Sequence, residues 1–287
     1  MPDSMIARDD GGGQLAADRA PARLAAVLGA GGIRGLAHAG VLSRLAELGV
    51  APDAYIGVSC GALVASCAAA LGWDGPRLAG AAARFGPLAA LGPAARRPWL
   101  AGILARMGRG QAGEVERLLA ELSGAGFDDL AAGVRWLGIL CWDRGAGRER
   151  FFVTGRPVGR PPLAAAVAGS MSLPLLFPEV AARAGDQVLR LMDGGISRTL
   201  PVELAFAAPV AARRVVAVDL GVMTGRSERR LDRFGELERR RGACLRVVRP
   251  DLRRFGIVVM RRGDAALMVE AGRRAVTAEL AAWCAGG

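Results

Sequence analysis

Lysine and asparagine are absent from this chain of 287 residues, histidine and tyrosine occur once each, and aromatic side chains make up only 5%. All 38 basic residues are therefore arginine. Cysteine is also sparse. Cys60, Cys67, Cys141, Cys244 and Cys284 are odd in number, widely spaced and never form a CxxC pair. With His38 as the sole imidazole, a structural zinc site is disfavoured, and no metal or organic cofactor is expected. The same spacing argues against a disulfide framework and for a reducing compartment. No uninterrupted apolar stretch reaches the roughly 18–20 residues that a spanning helix needs. The first twenty residues carry Asp3, Asp9, Asp10 and Asp18 without a continuous apolar run, which argues against a secretory signal peptide. The expectation is a cytoplasmic protein, with peripheral contact to a membrane surface as an option.

Apolar residues make up 52% and charged residues 23%, enough for a sizeable core and against global disorder. The length suits one α/β domain with loose ends. Residues 1–22, with Gly11, Gly12 and Gly13, read as a flexible leader, and 23–287 as the domain. Residues 24–29 form a short apolar run that stops at a glycine cluster, as a buried parallel strand does. Residues 35–48 place Leu36, Ala39, Leu42, Leu45 and Ala46 at helical spacing. A second apolar run at 54–58 and a helical stretch at 60–71 follow. This strand–helix alternation predicts a three-layer α/β/α domain with a mainly parallel sheet. Further on, 73–130 is less regular, with 114–122 its best helix. Residues 134–142 and 151–154 read as a hairpin joined by 143–150. A helix is predicted at 162–170, strands at 188–192, 214–220 and 245–249, and one long helix at 264–284.

Three short patterns carry chemistry. Gly57-Val58-Ser59-Cys60-Gly61 matches G-x-S-x-G between a predicted strand and a predicted helix, the sharp turn that exposes a serine nucleophile. The plain alternative is a tight turn whose serine caps the helix. Gly29-Ala30-Gly31-Gly32-Ile33-Arg34-Gly35 follows the first strand. Its backbone N–H groups, backed by a helix start, suit a phosphate or an oxyanion. It lacks the ending of a P-loop and, with Arg34 at the sixth position, the dinucleotide fingerprint. Asp193-Gly194-Gly195 follows a predicted strand, where open α/β sheets place their sites; an ordinary turn is the alternative. A serine needs a base. His38 lies inside the helix after the glycine loop with Arg34 and Leu42 four residues away on either side, so no carboxylate orients it and it reads as helix packing. What remains is a Ser59–Asp193 dyad, with Asp193 taking the proton directly.

Together these motifs resemble the patatin-like phospholipase family, in order and spacing, over about 24–220. A further block from Ala166 to Pro178, through Ser170, Pro174 and Phe177, resembles that family as well. The resemblance implies Ser59 as nucleophile, Asp193 as base, and the amides of Gly31, Gly32 and Ile33 as the oxyanion hole. Gly29, Gly35, Gly57, Gly61, Gly194 and Gly195 then shape the turns, and Arg34 steadies its loop or meets a phosphate. Thr199, ahead of Pro201, stands where many relatives carry asparagine. The implied activity is a lipase or phospholipase A-like acyl hydrolase on acyl-ester or phospholipid substrates. An acyltransferase or thioesterase of a biosynthetic pathway, or a catalytically silent membrane-binding or regulatory protein, are the other readings.

Residues 226–262 hold thirteen arginines against five acidic residues, a local net charge of +8 within a total of +11. Such a segment suits anionic lipid headgroups; without interleaved aromatics, nucleic acid is the weaker option. Trp99, Leu100, Ile103, Leu104 and Met107 share one helical face between arginines, as a lid, an interfacial helix or core packing would. The oligomeric state is left open.

Overall fold

Five-residue runs without a charged residue, such as Leu24–Leu28 and Ala54–Val58, are buried on both faces, and this places them in the middle of a sheet. A computed structural model of the chain describes residues 19–83, 114–174, 176–221, 244–257, 261 and 263–286. Among these, eight strands form one sheet. They are β1 Leu24–Leu28, β2 Ala54–Val58, β3 Trp136–Asp143, β4 Arg148–Val153, β5 Val180–Ala184, β6 Gln187–Asp193, β7 Arg214–Val218 and β8 Leu245–Val248. The order is β5-β6-β3-β2-β1-β7-β8, with β4 also on β3. Strands β8, β7, β1, β2 and β3 run parallel, whereas β4, β5 and β6 pair antiparallel.

The helices are α1 Leu36–Glu47, α2 Cys60–Ala69, α3 Gly75–Ala83, α4 Glu114–Ser123, α5 Leu163–Ser170, α6 Val202–Phe206, α7 Asp264–Arg274 and α8 Ala278–Ala285. Alternate residues of the strands feed two cores. Leu24, Ala26 and Leu28 join the large one under α1 to α5, α7 and α8. Ala25 and Val27 face the smaller one, covered by α6 and its flanking loops. The three layers are thus unequal. None of the described helices is long and apolar enough to cross a membrane.

Four expectations need correcting. The single helix expected at 264–284 is two, because Thr277 turns extended and its side chain accepts the Leu280 N–H, starting α8 afresh. The hairpin turn is tighter than expected, because the Asp143 carboxylate accepts the Gly145 and Ala146 amides and lets β4 begin at Arg148. Strand β5, helix α3 and helix α6 are additions. At the amino end, the boundary of the leader lies too late. Ala22 is fully buried, exchanging backbone bonds with Val210 and Arg213, and the Ala20 carbonyl accepts the Trp136 indole N–H. The stripe at 99–107, residues 1–18 and most of the basic segment (226–243, 258–260 and 262) lie outside the described residues.

Candidate functional site

The site grows from one edge of β3. Strand β4 fills the other edge over Gly138–Asp143. On the first edge β2 pairs as far as Val58 opposite Leu140, and β6 takes over with Asp193 opposite Cys141. The register therefore brings Ser59, the next residue after Val58, and Asp193 to the same point, although 134 positions separate them in the chain.

Ser59 joins β2 to α2 with φ 58° and ψ −130°. A non-glycine residue held there costs about 1–3 kcal/mol and persists only where its surroundings enforce it. The enforcement is visible. A Cβ on Gly57 would stand 2.4 Å from the Gly61 carbonyl oxygen, and one on Gly61 2.1 Å from that of Leu28. The Ser59 N–H donates to Ser170 Oγ (2.8 Å), whose own hydroxyl donates to the Leu140 carbonyl (2.7 Å). The Ser59 carbonyl accepts the Ala62 N–H and opens the helix, but its side chain makes no capping bond. The helix-capping alternative is thereby excluded.

Asp193 ends β6 and is 3% exposed. Its N–H donates to the Ser172 carbonyl at 3.0 Å, and its Oδ1 accepts the Gly195 N–H at 2.7 Å. Burial pushes its carboxyl up to about 6, against the downward pull of hydrogen bonds from Ser59 and Gly195. Burial and the Asp193 charge push the thiol of Cys60, next to Ser59, up to about 12, which keeps it protonated at neutral pH.

The glycine loop is held from several sides. Gly29 and Ala30 donate to the carbonyls of Val218 (3.2 Å) and Thr199 (2.8 Å). The Thr199 backbone therefore has a part in the site. The Arg34 guanidinium reaches the carbonyls of Phe255 (3.0 and 2.6 Å), Leu220 (3.3 Å) and Gly221 (3.2 Å). All of these contacts tie Arg34 to backbone carbonyls of neighbouring loops. The three amides expected to act alike differ. Ile33 donates to the Ile257 carbonyl at 3.0 Å, so its N–H is already engaged. Among the described residues the Gly31 N–H has at most the Cys60 sulfur, a weak acceptor that an oxyanion would displace, for a partner. The Gly32 N–H has no hydrogen bond among the described residues. Its φ of +55°, and the Ile257 carbonyl oxygen 2.2 Å from where a Cβ would stand, make Gly32 a position for glycine alone. His38 is buried, with Nε2 2.8 Å from the Gly29 oxygen. Among the described residues no group of three or more His, Cys, Asp or Glu side chains could hold a metal ion.

Sequence reasoning had Ser170 only as part of a motif block. Its hydroxyl bridges Ser59 and Leu140, a contact over 111 positions. The nearby Ser172 carbonyl holds Asp193, so the end of α5 braces both site residues.

Fold and site together define an α/β protein whose serine sits on a strained strand-to-helix turn beside a buried aspartate and a glycine loop. The family model described as patatin-like phospholipase matches residues 26–206. The chain belongs to the patatin-like phospholipase family. NTE family proteins of Mycobacterium bovis and Mycobacterium tuberculosis are 33% identical to it over 224 residues, covering 75% of this chain and 33% of theirs. The chain thus spans about a third of the length of these relatives. In fold it is similar to VipD from Legionella pneumophila, with a TM-score of 0.50 at 13% identity, covering 89% of this chain and 66% of that one.

Proposed function

We propose that this protein is a serine acyl hydrolase acting on carboxylic esters of lipids. The observation that carries the reading is the side-by-side placement of Ser59 and buried Asp193, brought together on β3, at a turn whose strain is enforced by its neighbours. Such strain and raised carboxyl pKa values gather at functional sites. Asp193, ionised above about pH 6, takes the Ser59 proton as Oγ attacks the ester carbonyl carbon. The carbonyl oxygen becomes an oxyanion facing the Gly31 and Gly32 amides, where donors fixed before the reaction stabilise the charge. Collapse of this intermediate breaks the bond to the alcohol, which leaves with the proton from Asp193. Water then gives a proton to Asp193 and attacks the acyl group on Ser59. The acid departs, and the proton returns to Ser59.

Ser59→Ala and Asp193→Asn test this reading in turnover of a short soluble ester. The first should abolish turnover. The second keeps the shape but removes the proton acceptor, and should lower kcat by about 10²–10⁴-fold. Wild-type turnover in either variant would refute the dyad. A panel of phospholipids, lysophospholipids, triglycerides and acyl thioesters then ranks substrates.

A further inference from the structure

We propose that His38 is a positioning residue for the glycine loop, its Nε2–H holding the Gly29 carbonyl and fixing the backbone from which the Gly31 and Gly32 amides are presented. The proposal rests on the reading of that loop as an oxyanion hole.

His38 lies in the first turn of α1, nine positions after Gly29, and its Nε2 is 2.8 Å from the Gly29 oxygen. A carbonyl oxygen can only accept, so Nε2 carries the proton and Nδ1 the lone pair. That Nδ1 is buried without a hydrogen-bond partner among the described residues. Burial pushes the imidazole down to about 4, which leaves it neutral at physiological pH. With its N–H committed to Gly29 and its lone pair unbonded among the described residues, the ring is not arranged to take the Ser59 proton.

The other end of the contact shows what the ring does instead. The peptide between Gly29 and Ala30 is pinned on both sides, its C=O by His38 and its N–H by the Thr199 carbonyl at 2.8 Å. The Cys60 thiol reaches the same Gly29 oxygen at 3.7 Å. The other anchors, from Ile33 and Arg34, run to carbonyls beyond β7 and β8. Among the described residues, His38 alone ties the first peptide of the loop to α1, the helix the loop leads into. Rotation of that peptide would turn the amides that follow, and donor orientation is what such a loop supplies to catalysis.

Three variants and one spectrum of the full chain test this. Leucine at 38 removes the donor; glutamine keeps an amide N–H. His38→Leu should lower kcat on a short soluble ester by about 10–100-fold, less than loss of a whole oxyanion donor. KM should stay within about threefold, and the rise of kcat/KM near pH 6 should not move. His38→Gln should recover most of the loss. Wild-type kcat in folded His38→Leu reduces His38 to packing and overturns the proposal. Equal losses in both variants, with the rise near pH 6 gone, would make His38 the base and overturn it too. Turnover surviving in Ser59→Ala overturns the underlying site reading together with this one.

Should His38→Leu not fold, the wild type still decides. Because His38 is the only histidine, ¹⁵N-histidine labelling reports one ring. It should show the Nε2–H tautomer, no titration between about pH 5.5 and 8, and shifted signals once a fluorophosphonate has modified Ser59. An Nδ1–H tautomer, a titration in that range, or signals unmoved by the modification would overturn the proposal.

Discussion

Asp193 carries a cost that pH makes visible. Burial raises its folded pKa to about 6 from the ordinary aspartate value of 3.8. The native state therefore holds this proton more tightly than the unfolded chain. The resulting stability is full below about pH 4 and is lost as pH rises through about 6. Two pKa units correspond to about 3 kcal/mol. Asp193→Asn should thus gain in melting temperature over the wild type between pH 4.5 and 7.5, while kcat collapses; a difference independent of pH would mean an unperturbed carboxyl. In the wild type, kcat/KM should rise with pH through about 6 as the base ionises. Ser170 belongs to the same scale. Ser170→Ala leaves the buried Ser59 N–H without its acceptor, and the loosened turn should lower kcat by about 10–100-fold with little change in KM. An unchanged kcat would show that the turn holds without it. Ser59 and Asp193 were legible in the sequence because each sits in a short glycine pattern at the end of a strand. The bracing by Ser170 was not, because a hydrogen bond across 111 positions leaves no local trace.

Strands were easiest to read where burial on both faces demands an unbroken apolar run, as in β1, β2 and β7. β5 (Val-Ala-Ala-Arg-Ala) buries only Ala182 and Ala184, with Ala181 and Arg183 exposed and Val180 half-buried, so its apolar signal is weak. α6 has five residues, too few for a helical period to show. The break between α7 and α8 rests on the Thr277 cap, which hydrophobic spacing runs straight over. That cap is testable. Thr277→Ala should destabilise the protein by about 1 kcal/mol, read as a lower melting temperature, and leave kcat on a short ester at the wild-type value. No change in melting temperature would mean that α8 is held by packing of Ala281 and Cys284 alone.

Over the whole molecule, an excess of +11 built entirely from arginine suits an anionic surface, and the lipid-ester reading supplies one. Binding to anionic vesicles should exceed binding to neutral ones and weaken with salt, since exposed charges are screened within about 8–10 Å at roughly 0.1–0.15 M. Exchanging Arg239, Arg240 and Arg241 for glutamate should reduce vesicle binding and spare hydrolysis of a soluble ester; equal binding to both kinds of vesicle would dismiss the segment as a membrane contact. The strand and helix pattern gave the mostly parallel sheet, but not the inequality of its two helical layers, which depends on where the connections pass. Nor did it give the handover on β3 from β2 to β6 that makes Ser59 and Asp193 neighbours. The central claim is that Ser59 becomes covalently acylated, and the intact mass of the protein tests it most directly. After incubation with a fluorophosphonate, the wild type should gain one adduct, mapped to the peptide containing Ser59, and Ser59→Ala should gain none. An adduct on another residue, or an undiminished adduct in Ser59→Ala, would contradict the account.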